Sequence, residues 1–212
     1  MNVNNLEQPL IENDFTRFLI AGLGNPGRQY RANRHNIGFI VMDSLAEKLG
    51  VAFSRLESKA LVTKADHLGK RLILAKPQTY MNLSGQSVGS LAKFYKIQPE
   101  HILVIYDEVD LPFGVLRMRP SGGSAGHKGM KSIIEQVGTQ DIPRLRVGIG
   151  RPPGKKGAAK HVLKDFGRTE KEELPLILGQ TVDAVLTLIT EGIDAAMNAF
   201  NADVFDDPAN GL

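Results

Sequence analysis

The 212-residue chain contains no cysteine. That absence excludes disulfides, thiol nucleophiles and cysteine-ligated zinc or iron–sulfur sites, and it fits a reducing compartment. Any hydrolytic chemistry must therefore come from other groups. Long apolar runs are also missing. The opening MNVNNLEQPLIENDF is polar and acidic without the apolar core of a signal peptide, and no later run approaches membrane-spanning length. A cytoplasmic protein without a membrane segment is expected. The five histidines, at 35, 67, 101, 127 and 161, show no HxxxH or similar pairing, so no metal site is indicated. Repeats and low-complexity segments are absent. What is present is ordinary for a globular chain, 42% hydrophobic and 23% charged, enough for one well-buried core.

The net charge of +3 conceals a strong segregation. Residues 1–113 hold 13 Lys/Arg and 11 Asp/Glu, residues 114–164 hold 11 and 2, and residues 165–212 hold 2 and 10, for balances of +2, +9 and −8. The middle block, with Arg117, Arg119, Lys128, Lys131, Arg144, Arg146, Arg151, Lys155, Lys156 and Lys160, reads either as a footprint for a polyanion or as a counterweight to the acidic tail within the fold. Charge alone does not choose between them.

Hydrophobic periodicity predicts alternating strands and helices. Strands are expected at Arg17–Gly22, Leu61–Asp66, Arg71–Lys76, Ile102–Tyr106, Val115–Arg119 and Leu145–Ile149, the second and third joined as a hairpin through His67-Leu68-Gly69-Lys70. Helices are expected from about Asn36 to Gly50, Gln86 to Tyr95, Lys128 to Val137 and Glu170 to Phe200, the last broken near Gly192. The pattern implies one α/β domain over residues 15–202, a three-layer sandwich whose twisted, mixed sheet is mostly parallel and flanked by helices. Residues 1–14 and 203–212 read as loosely held extensions.

Three motifs invite other assignments. Gly22-Leu23-Gly24-Asn25-Pro26-Gly27 satisfies G-x-G-x-x-G after a strand, but no helix opens for about ten residues, as a dinucleotide site requires. Gly85-Gln86-Ser87-Val88-Gly89 satisfies G-x-S-x-G, with Asp107 and His127 following in serine-hydrolase order; Ser87, however, falls inside a helix rather than on a strand-to-helix elbow. Gly126-His127-Lys128 lacks the spacing and the Ser/Thr of a phosphate-binding loop.

The remaining signal is a set of polar clusters after the buried strands: Asn25 and Arg34-His35-Asn36, then Tyr80-Met81-Asn82, then Asp107-Glu108-Val109-Asp110. In a parallel sheet these ends share one edge, where crevices form. A histidine that takes a proton from water, a carboxylate that orients it and amides that stabilise an oxyanion make a hydrolytic set. Singly, Asn25 can shape a turn, Asn82 cap a helix and Asp107 end a strand.

GLGNPG, Tyr30 followed by Asn33-Arg34-His35-Asn36, KPQTYMNLSG, YDEVDLPFG, GGSAGHKGMKSI and RLRVGIGRP stand in the order and approximate spacing of one family. Over about residues 17–153 the chain resembles the bacterial-type peptidyl-tRNA hydrolase family. The resemblance implies a monomeric α/β enzyme, without metal or organic cofactor, that hydrolyses the ester between a peptide and the terminal ribose of tRNA. By the same resemblance His35 is the catalytic base and Asp107 its partner. Asn25 and Asn82 hold the peptide and terminal nucleotide, Tyr30 and Met81 are pocket residues, and Arg117, Arg119 and Arg146 clamp the acceptor-end phosphates. Residues 121–129 correspond to a mobile gate. One departure is Lys128, where the family commonly carries asparagine: lysine has no acceptor, which puts a water-orienting role in question and offers a cation to a phosphate or an oxyanion. A noncatalytic RNA-binding relative and a generic esterase are the competing classes.

Overall fold

The computed structural model describes residues 16–151 and 157–201. The extensions expected at 1–14 and 203–212, together with Lys155 and Lys156, lie outside the described residues. Seven strands form one sheet: β1 (Arg17–Gly22), β2 (Arg55–Glu57), β3 (Ala60–His67), β4 (Lys70–Pro77), β5 (Ile102–Glu108), β6 (Leu116–Arg119) and β7 (Arg144–Gly148). Their order is β2-β3-β4-β1-β5-β7-β6. The parallel expectation holds for the four central strands, β4-β1-β5-β7, whereas β2, β3 and β6 run antiparallel to their neighbours. The hairpin explains one edge: Leu68 and Gly69 form its two-residue turn at φ 43° and 75°, the left-handed pair that matches strand twist.

Alternation along β1 divides the core into two layers. Phe18 and Ile20 face α1 (Ile37–Lys48), α5 (Arg168–Glu191) and α6 (Ile193–Phe200), while Leu19 and Ala21 face α2 (Ser84–Tyr95) and α3 (Lys128–Val137). A short helix, α4 (Ala158–Val162), and the edge strand β2 were not anticipated, because each is too short to show a period. The hydrogen-bonded β5 ladder runs two residues beyond its apolar stretch, so Asp107 and Glu108 belong to the strand. α5 is long and apolar enough to cross a membrane by length and composition, which the interrupted apolar sequence did not suggest. Its Ile177, Val182, Val185, Leu188 and Ile189 are instead buried in the core.

Close backbone approach sets where α1 begins. A Cβ on Gly22 would lie 2.2 Å from Gly38 O, and one on Gly38 would lie 2.3 Å from Leu23 N. Only glycine at both positions lets the first turn of α1 rest on the end of β1. The 3-10 turn Arg34–Asn36, immediately before α1, is thereby held at the carboxyl edge of the sheet.

Candidate active site

β4 and β5 lie on opposite sides of β1, so the segments that leave these strands open a crevice at the carboxyl edge. The crevice is a cleft of about 980 Å³. Asn25, His35, Met81, Asn82, Asp107 and Lys128 all line it. Tyr30, on its own 3-10 turn (Arg28–Tyr30), is not among the lining residues.

At the centre, His35 Nδ1 lies 2.7 Å from Asp107 Oδ1, with the two side chains 14% and 2% exposed. The carboxylate can only accept, so Nδ1 carries the proton and Nε2 is left as the base. His35 is held by its neighbours in sequence. Arg34 is buried and forks onto Glu170, Nε at 3.2 Å and Nη2 at 2.5 Å, while Nη1 donates to Asp165 O at 2.7 Å. Asn36 holds the main chain of Asn25, and Asn25 Oδ1 accepts from Met81 N–H at 2.8 Å.

His127, outside the residues expected at this site from the sequence, also belongs to it. Its Nε2 lies 3.2 Å from the same Asp107 Oδ1, and its Nδ1 accepts from Met130 N–H at 3.2 Å, capping α3. The glycine-rich segment before it brings it in; Gly122 O and Gly123 O are held by the buried Arg144 guanidinium at 2.5 and 3.0 Å. The signal available in the sequence was a histidine in a glycine-rich loop just before a helix. The last two residues of the expected gate, Lys128 and Gly129, are the first residues of α3. Burial alone pushes the Asp107 carboxyl up, but hydrogen bonds from His127 and His35 outweigh it and hold the group below the usual carboxylate range.

Ligand atoms of His35, Asp107 and His127 fall within 4.8 Å of one another, a grouping no sequence spacing reveals. Donor chemistry explains it without an ion: both imidazoles aim an N–H at one carboxylate oxygen, and the remaining nitrogen of His127 is spent on the cap of α3. Ser87 is no part of this set. It is fully buried, and its Oγ–H is shared between Ser58 O at 2.8 Å and Lys59 O at 2.7 Å.

Arg117, Arg119 and Arg146 do not line the cleft. Arg117 is paired with Arg146 and Arg119 with Arg144 across the β6–β7 ladder, which places four guanidinium side chains on one sheet face. Arg146 Nη1 meets Glu108 Oε2 at 3.2 Å, and Arg117 Nη1 donates to Asn201 O at 3.1 Å.

The Peptidyl-tRNA hydrolase family profile matches residues 19–208. A peptidyl-tRNA hydrolase of Chloroflexus aurantiacus is 51% identical over 185 residues, spanning 87% of this chain and 98% of that protein. One from Pseudarthrobacter chlorophenolicus is 46% identical over 186 residues, spanning 87% and 95%. The crystal structure of peptidyl-tRNA hydrolase from Acinetobacter baumannii superposes with a TM-score of 0.82 at 37% identity, over 88% of this chain and 95% of that one. With a family profile matched over residues 19–208 and a relative 51% identical over 87% of its length, the chain belongs to the peptidyl-tRNA hydrolase family.

Proposed function

We propose that this peptidyl-tRNA hydrolase cleaves its ester by direct attack of water, with His35 as general base. His35 Nε2 takes a proton from water, the oxygen adds to the ester carbonyl, and the tetrahedral intermediate collapses as the ribose 3′ oxygen recovers the proton. Asp107 holds the imidazole and balances its positive charge. Asn25 and Asn82 bind the peptide and terminal nucleotide and stabilise the oxyanion, Met81 shapes the pocket, Tyr30 meets substrate from outside its lining, and Lys128 contacts substrate at the cleft wall. Arg117, Arg119 and Arg146 take acceptor-end phosphates. Like charges opposed across a ladder repel one another, and an anion between them relieves that cost. No metal or organic cofactor enters the step. The protein acts as a cytoplasmic monomer on its free substrate.

The 2.7 Å contact between His35 and Asp107 on the wall of the cleft carries this reading. Release of an N-blocked aminoacyl group from tRNA tests it: His35→Ala loses roughly 10²–10⁴-fold in turnover while still binding tRNA. Near-normal hydrolysis by that variant would remove His35 from the mechanism. A noncatalytic RNA binder would release nothing, and a generic esterase would also cleave small aryl esters.

A further inference from the structure

We infer that His127 is a positioning residue for the reaction: by donating a second hydrogen bond to the carboxylate oxygen that His35 uses, it weakens the hold of Asp107 on the protonated base. This rests on the reading of His35 as the base. Met130 N–H donates to His127 Nδ1, and a nitrogen that accepts carries no proton. The ring proton therefore sits on Nε2, the nitrogen that faces Asp107 Oδ1 at 3.2 Å. The same oxygen accepts the shorter bond from His35 at 2.7 Å. Two donors share one oxygen's charge, so the imidazolium formed at His35 receives less of it than it would alone.

The geometry fixes this arrangement from several sides. The two imidazoles are 5.3 Å apart, and Tyr106 packs 4.5 Å from His127. Burial pushes the Tyr106 phenol up to about 12, so it stays neutral. The other charged groups lining the cleft are largely committed: Asp110 to Arg151, Glu108 to Arg146 and Lys131 to Glu135. Lys128 and Tyr80 also face it, and Arg34, beside the base, is bound to Glu170. A substitution at position 127 leaves all of these in place, so they cancel when variants are compared.

Two variants separate the two bonds of His127. In His127→Asn the side-chain oxygen stands where Nδ1 does and still caps α3, since asparagine is a favoured cap, but the amide is too short to reach Asp107. In His127→Gln the amide nitrogen stands where Nε2 does and can donate to Asp107, while the cap is lost. The pH dependence of N-blocked aminoacyl release is read against each variant's own plateau. His127→Asn moves the acid limb up by about half to one pH unit. His127→Gln holds the limb at the wild-type position and melts at a lower temperature. An unmoved limb in His127→Asn, or equal movement in both variants, overturns the inference. Imidazole nitrogen NMR of the unaltered protein checks it without a variant: the expected result is a proton on Nε2 of His127, and one on Nδ1 overturns it. Full turnover by His35→Ala would instead defeat the assignment of the base, a failure distinct from these.

Discussion

Asn36 grips the main chain of Asn25 with both ends of its side-chain amide, Oδ1 accepting Asn25 N–H at 2.9 Å and Nδ2 donating to Asn25 O at 2.9 Å. The turn after β1 is thereby locked to the start of α1. Because Asn25 Oδ1 is then occupied by Met81 N–H, its Nδ2 is the end left to donate. The oxyanion donor proposed here is thus oriented by two residues that need not touch substrate.

Asn36→Asp puts an acceptor opposite Asn25 O at a site that is 2% exposed. The unmade buried bond costs about 1–3 kcal/mol. Calorimetry should show a lower melting temperature, and steady-state kinetics should show turnover reduced with KM little changed. Normal turnover in this variant would show that Asn25 does not depend on its clamp.

Ser87→Ala removes the hydroxyl that holds the β2–β3 turn, where Ser58 and Lys59 adopt φ of 48° and 59°. Stability should fall by about 1 kcal/mol, and hydrolysis should persist. Complete loss of activity in a folded protein would restore the serine as a nucleophile.

Asp107 makes stability depend on acid. Its carboxyl is lowered from the ordinary 3.8 in the folded protein, so it favours the native state above that value, and the contribution is lost as pH falls through the lowered folded value. The melting-temperature gap between the protein and Asp107→Asn should close as pH falls below about 4. A gap that widens over that acid range would contradict the sign.

Binding of tRNA should weaken steeply with salt, because phosphate contacts release counterions. Replacing Arg117, Arg119 or Arg146 by Gln should each reduce the salt slope by about one and weaken all tRNAs alike. Affinity and slope unchanged in all three would assign the arginine face to the fold instead.

Much of the fold was legible because its signals are local. β1 has the predicted bounds, α3 begins and ends where expected, and the break at Gly192 stands at φ 95°. The polar clusters after β1, β4 and β5 announced His35, Asn25, Asn82 and Asp107, since chain direction in a parallel sheet brings strand ends to one edge. β2 and α4 escaped because three and five residues carry no measurable period.

By itself the sequence determined the order of the longer elements, the family and the residue types of a cysteine-free hydrolytic centre. Only the tertiary structure decided which donors share an oxygen. His127 is 20 residues from Asp107 and 92 positions after His35, and nothing periodic links them. Their meeting depends on where α3 packs and on Arg144 gripping the loop before it. It also took the register of β6 against β7 to turn a diffuse +9 block into four arginines on one sheet face. Pattern along a chain reports what each segment buries, whereas hydrogen bonds between side chains depend on angstrom-scale placement that packing alone supplies.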